Sequence, residues 1–269
     1  MLKIFTISHT RPDFIDLQMR SFQKYLVEPF EFIIFNNAAF NTHAYDFSNY
    51  EEINRQCALS GATVIDVIRD SVVERRCQDQ ETTCSIFDSR GRYTNPNVAC
   101  SYPICWAWEK HISKVVGPVV LLHSDVFLTH SIRLTDMLQE HDICYIPQYR
   151  AGAAEYMWDA FFLTDLSRLP QPETLDWWGG KINGVSVDVG GQTSRYLAAH
   201  PDLRRLRIHA PFIPDDPDTN FHPTNYEQLF FNEKLFGIHY RSGSNWNNFP
   251  AVYHEKKTKW LLEKLNLKG

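Results

Sequence analysis

The first 68 residues alternate between short apolar runs and stretches of helical spacing, and that alternation limits the folds open to the chain. Lys3 to Ser8 is a β-rich run that stops at the polar turn His9-Thr10-Arg11-Pro12-Asp13. Phe14, Leu17, Phe22, Tyr25 and Leu26 then recur on one helical face, and Pro12 with Asp13 suits the start of that helix. A second apolar run, Phe30 to Phe35, ends in Asn36-Asn37-Ala38; a polar helical stretch over 48–60 leads to a third, Ala62 to Ile68. Parallel strands need crossover connections, and helices are the usual ones. The pattern predicts an α/β fold with a mostly parallel central sheet flanked by helices.

Farther along the signals thin out. Residues 70–100 are polar, carry Arg75-Arg76 and the turn-rich Ser89 to Asn97, and read as a loop inserted ahead of a helix over 98–114. Gly117-Pro118 breaks the chain before the apolar strand Val119 to Leu122; a helix over 131–140 and a strand over 143–147 are expected next. Beyond about residue 150, Trp158, Trp177, Trp178 and Trp246 stand among Gly and Pro clusters, and this aromatic-rich half reads as irregular loops and short helices over one sheet edge. His254 to Gly269 has the spacing of an amphipathic helix through Trp260, Leu261, Leu262 and Leu265. Docking on its own domain is the favoured reading of that helix, while its lysines leave peripheral contact with an anionic membrane open.

Composition narrows the partners. A formal charge of −5 with scattered Lys and Arg argues against nucleic acid, which needs a basic face. The N-terminus Met1 to Phe5 lacks the pattern of a secretory signal, and the longest apolar run falls far short of a bilayer span, so a cytoplasmic location is expected. Six cysteines contain no C-x-x-C pair, which disfavours a zinc site of the usual spacing. Free thiols are the default, although four cysteines between 77 and 105 leave a disulfide open.

In open α/β sheets ligands gather at the C-terminal ends of the strands. Three such ends are polar here: Ser8 to Arg11, Asn36-Asn37, and His123-Ser124-Asp125. The first offers backbone N–H groups and Arg11 to a diphosphate. The second offers amides to a base or ribose, though Ser and Asn also fill ordinary turns. The run Val119-Val120-Leu121-Leu122-His123-Ser124-Asp125-Val126-Phe127 is the strongest local feature. A carboxylate between apolar neighbours needs compensation. Asp125 either holds a divalent cation that bridges to phosphate, caps the helix near 131, or pairs with an arginine.

This arrangement resembles the A-type (GT-A) nucleotide-sugar glycosyltransferases, family-two-like members above all, in which an apolar strand ending Asp-x-Asp holds the metal of the nucleotide diphosphate. Asp125 matches the last acidic position, and His123 stands where the first acidic residue would be. The resemblance implies Mn²⁺ or Mg²⁺ as cofactor, with Asp125 and a late histidine, His239, as metal ligands. It implies a donor site lined by Ser8, Arg11, Asn36, Asn37 and His123. It also implies a nucleotide diphosphate-sugar donor and a glycan or other hydroxyl acceptor. A nucleotide-sugar-binding half over about 1–147, an acceptor-binding half over about 148–253 and a C-terminal helix over 254–269 follow from the same likeness. After His239, Tyr240 or Arg241 is placed to face the leaving diphosphate, and Ser242 to Asn245 could wrap a phosphate.

An acceptor hydroxyl needs a base in an inverting enzyme. The candidates are Asp159, Asp176 and Asp188; Asp188, before Gly190-Gly191, is favoured, and capping a helix over 193–200 is its other reading. Trp177 and Trp178 either stack on a sugar or belong to the core. The alternative function is a catalytically inactive nucleotide- or carbohydrate-binding protein of the same fold, which His123 in place of an acid favours. A nucleotidyltransferase is disfavoured, because Ser8 to Pro12 contains no glycine for a phosphate loop.

Overall fold

The opening alternation folds as β1 (Leu2–Ser8), α1 (Asp13–Tyr25), β2 (Phe30–Asn36), α2 (Phe47–Ser60) and β3 (Thr63–Asp66). The computed structural model describes residues 1–40, 47–80, 85–94, 96–150, 154–213, 226–241 and 251–267. After β3 come α3 (Ser71–Gln80), α4 (Pro96–Lys110), β4 (Pro118–His123), β5 (Val126–Leu128), β6 (Ile143–Gln148) and β7 (Tyr156–Asp165). The hairpin β8 (Gly180–Ile182)–β9 (Val185–Val187) and α5 (Thr193–Ala199) follow, then β10 (Arg205–Arg207) and β11 (Phe212–Ile213). The chain closes with β12 (Tyr226–Phe231), β13 (Lys234–His239) and α6 (Ala251–Lys264).

Seven strands form the central sheet in the order β10-β6-β7-β4-β1-β2-β3. β1 runs parallel to β2 and β4, β2 to β3, and β10 to β6; only β7 runs against its neighbours β4 and β6. The sheet is covered on both faces, which explains the unbroken apolar run of β4. Val119 and Leu121 face one core with Trp106, Trp108, Trp177 and Trp178. Val120 and Leu122 face the other with Ile15 and Phe22 of α1 and Ile53 of α2. A smaller antiparallel sheet, β11-β12-β13-β5, packs beside α1 and α6 through Phe14, Phe127, Ile238, Leu261 and Leu265. The C-terminal helix thus docks on its own domain. Among the described residues no helix is long and apolar enough to cross a membrane.

Three stretches differ from the expectation. Residues 71–80, expected as loop, form a helix whose first turn is capped by Asp70, its Oδ1 accepting from the N–H groups of Val72 and Val73. Among its described side chains only Val73 and Cys77 carry it into the core, one turn apart, and so sparse an apolar face is easily missed. The helix expected over 131–140 shrinks to the 3₁₀ turn Leu134–Leu138. The aromatic-rich half supplies β7, ten residues long, to the middle of the central sheet. Its polar Asp159 interrupts an otherwise apolar run and hides a strand buried on both faces.

Candidate functional site

β1 lies between β2 and β4, so the strand order reverses there and a cleft opens at the C-terminal strand ends. The chain leaves the central sheet at His123 and enters the small sheet at Val126, with Ser124 and Asp125 in the crossing turn. Buried Gln18 of α1 ties that turn, its side-chain amide donating to the carbonyls of His123 (2.9 Å) and Val126 (3.0 Å). The backbone N–H of Tyr240 donates to the Asp125 carbonyl at 2.8 Å. Register then brings His239 opposite Val126. That register depends on Gly237, where an added Cβ would meet the Phe127 carbonyl oxygen at 2.9 Å.

Here His123, Asp125 and His239 come together. His239 Nε2 is 3.1 Å from Asp125 Oδ1, His123 Nδ1 is 3.4 Å from His239 Nε2, and His123 Nδ1 is 3.9 Å from Asp125 Oδ1. The far nitrogen of each ring is held by a buried carboxylate. His239 Nδ1 meets Glu227 Oε2 at 2.7 Å, and His123 Nε2 meets Asp159 Oδ2 at 2.7 Å. An ionised carboxylate only accepts, so each ring donates its outward N–H and turns a lone pair inward. Two imidazole lone pairs and a carboxylate oxygen then face one point, an arrangement that needs a cation at its centre.

In the metal-free protein a proton fills that need. Burial alone would lower the His239 pKa, but the charge of Asp125, with hydrogen bonds to Asp125 and Glu227, lifts it to about 9. His123 is raised as well: the charge and hydrogen bond of Asp159 outweigh its burial. A divalent cation fits the same place. A triangle with these sides has a centre about 2 Å from each corner, the bond length of a small divalent ion to nitrogen or oxygen. The three side chains form a metal-capable group among the described residues.

The centre lines a cavity of about 340 Å³, with Ile7, His9, Cys100, Trp158, Asp159, Asp188 and Arg241 among its walls. Trp158 stands edge-on to both imidazoles, with ring centroids 5.5 Å from His123 and 5.1 Å from His239. Burial, and then the carboxylates of Asp159, Asp188 and Asp125, push the Cys100 thiol up to about 12, so it stays protonated and supplies no thiolate.

Several sequence candidates are drawn elsewhere. Ser8 is buried and absent from the cleft wall; side chains alternate along a strand, and its neighbours Ile7 and His9 face the cleft instead. Arg11 pairs with Asp13 at 2.8 Å and stacks over Phe14. Asn36 bonds the Tyr50 carbonyl and Asn54, and Asn37 bonds the Ala99 carbonyl and the Tyr93 hydroxyl. Asp176 accepts from the Trp178 N–H and the Cys105 thiol, away from the cleft. Trp177 and Trp178 are core residues with no face for a sugar. Tyr240 is buried, whereas Arg241 reaches the cleft. Ser242 to Asn245 lies outside the described residues. Glu227 escaped sequence reading. Its one signal is its place directly opposite His239 on the paired strands, and pairing is invisible before the fold is known.

No family model and no curated protein matches the chain. Three solved glycosyltransferases are similar in structure. An active-site mutant of LgtC matches at 12% identity over 62% of this chain and 58% of its own, with a TM-score of 0.38. LgtC, a galactosyltransferase, is also solved with donor and acceptor sugar analogues. Mouse xyloside xylosyltransferase 1 matches at 11% identity over 76% of this chain and 77% of its own, with a TM-score of 0.39. GlyE of Streptococcus pneumoniae TIGR4 matches at 13% identity over 76% and 44%, with a TM-score of 0.38. The chain spans less than two thirds of the LgtC mutant's length.

Proposed function

We propose that the chain is a metal-dependent glycosyltransferase that moves a sugar from a nucleotide diphosphate-sugar donor to a hydroxyl acceptor. The observation that carries this reading is the convergence of His123 Nδ1, Asp125 Oδ1 and His239 Nε2 on one point, at the strand-end cleft. These three residues would hold Mn²⁺ or Mg²⁺, whose Lewis acidity stabilises a departing diphosphate.

The chain's own groups supply the rest. Arg241 lines the cleft, 3.5 Å from Glu227, and offers positive charge where the leaving group becomes more negative. Trp158 gives the cleft an apolar wall against which a sugar ring can pack. Asp188 turns Oδ1 back to the Val189 N–H at 2.9 Å, while its Oδ2 lies 4.0 Å from Arg150. With its side chain 41% exposed at the cleft wall, Asp188 is the carboxylate best disposed to accept from an incoming hydroxyl.

Sugar release from nucleotide diphosphate donors, measured with Mn²⁺ or Mg²⁺ and after EDTA, tests the reading. Metal-dependent transfer is the expected result, and full activity in EDTA overturns it. Nucleotide binding without sugar release would instead identify a catalytically inactive binding protein.

A further inference from the structure

We propose that Asp159 is a positioning residue that fixes His123 with its Nδ1 lone pair turned into the centre. The site then presents two nitrogens and one oxygen, and takes first-row transition cations such as Mn²⁺, Co²⁺ or Zn²⁺ in preference to Mg²⁺. The proposal rests on the metal-dependent reading and deepens it by naming the cation class.

The argument begins in β7. Its register with β6 breaks between Tyr145, opposite Phe162, and Ile146, opposite Trp158. Asp159, Ala160 and Phe161 therefore form a bulge, a device that re-aims a side chain out of the regular ladder. The bulge delivers a carboxylate with only 3% of its side chain exposed to the cleft edge of β4. One oxygen binds His123 Nε2 at 2.7 Å; the other, Oδ1, is buried without a hydrogen-bond partner. Such a residue is costly to bury for packing alone. It is accounted for if Oδ2 locks the imidazole tautomer of His123.

Asp159 then serves His123 as Glu227 serves His239. A carboxylate behind a ligating imidazole fixes its orientation and raises its basicity, and removing one commonly costs about 10–100-fold in metal affinity. Donor chemistry sets the selectivity. Mg²⁺ favours oxygen and keeps its water, whereas imidazole nitrogen suits the later divalent ions. With two of three protein donors nitrogen, the centre is poorly matched to Mg²⁺.

The test is calorimetric titration of the metal-free full chain with Mn²⁺, Zn²⁺ and Mg²⁺, with Co²⁺ absorption and Mn²⁺ electron spin-echo spectra to report coordinated nitrogen. For the wild type, binding of Mn²⁺ and Zn²⁺ at least about tenfold tighter than Mg²⁺ is expected, with two imidazole nitrogens in the spectra. Asp159→Asn should lose about 10–100-fold in Mn²⁺ affinity and weaken one nitrogen signal, with Asp159→Glu restoring part of both. The pair His123→Asp with Asp159→Asn exchanges a nitrogen for an oxygen without leaving two carboxylates face to face. It should narrow the Mn²⁺-to-Mg²⁺ ratio, and circular dichroism of each metal-free variant checks folding. A wild type that binds no divalent metal sinks the functional reading and this inference together. Metal binding with an unchanged ratio in the double variant, or unchanged Mn²⁺ affinity and nitrogen signals in Asp159→Asn, sinks this inference alone.

Discussion

The two imidazoles at the centre are held by different kinds of structure. His239 sits on β13, directly opposite Glu227 on β12, and both are buried in the in-register stretch of an antiparallel pair that shifts only farther on, between Leu229 and Phe230. His123 ends a strand of the central sheet, and its carboxylate partner comes from a bulge. Its side chain is 29% exposed, against 3% for His239. One arm is a closed part of the scaffold, and the other opens on the cleft. The proposed metal centre would use both: a rigid arm to define the position, and an open arm beside which a substrate could reach the ion.

Asp125 joins the two arms, so its loss should produce the largest effect. Asp125→Ala leaves two imidazoles facing each other across 3.4 Å with no anion between them. We expect Mn²⁺ affinity to fall by more than about 100-fold in calorimetry and transfer to fall by about a thousandfold. Retained affinity would mean that the histidines bind metal alone.

Glu227→Gln probes the closed arm. A neutral amide orients His239 but no longer raises its basicity, so a fall of about 10–100-fold in Mn²⁺ affinity is expected. An unchanged titration would reduce the closed arm to packing.

Proton competition supplies a pH test of the same centre. The folded-state pKa of His239 is raised from 6.5 to about 9, so in the metal-free protein its protonated form stabilises the fold fully below pH 6.5. That contribution is lost as pH rises through about 9. A metal requires the neutral ring, so its affinity runs the other way. Mn²⁺ affinity should climb by up to about tenfold per pH unit between the two values and then level off, with proton release seen in buffers of differing ionisation heat. A flat profile would remove His239 from the ligand set.

The smaller sheet should be more sensitive to backbone crowding than to chemistry. Gly237→Ala would push a Cβ against the Phe127 carbonyl and disturb the strand two residues before His239. A loss of about 1–3 kcal/mol in stability is expected by thermal or denaturant unfolding. Mn²⁺ affinity should fall with it, since β5 and β13 carry the centre; an intact metal site in a destabilised chain would uncouple the two.

How far the sequence could be read follows from these same particulars. The parallel β1, β2 and β4 were legible because each is a short apolar run, and α1 between the first two has a clear helical period. Asp125 and His239 each stand after an apolar run, but it was the family resemblance, not the run, that pointed to a metal role. Asp159 stood among the candidate bases, but its service to His123 depends on a bulge, and no one-dimensional pattern marks a register break. Glu227 was silent because its partner is 12 residues away across a hairpin. Asn36, Asn37 and Arg11 looked like ligands because polarity after a strand is the shared mark of a binding loop and of a turn that satisfies its own backbone.

Ser8 gives the smallest and most pointed test. It ends β1 at the cleft, yet strand alternation turns its side chain inward, and its buried Oγ has no hydrogen-bond partner. A hydroxyl in that state contributes nothing to balance its desolvation. Ser8→Ala should therefore leave stability within about 0.5 kcal/mol of the wild type or raise it slightly. Donor and Mn²⁺ affinities should stay within about twofold, because Ile7 and His9, not Ser8, line the cleft. A marked loss of donor binding would mean that the end of β1 rotates when nucleotide arrives, and the open arm would then extend from β4 into β1.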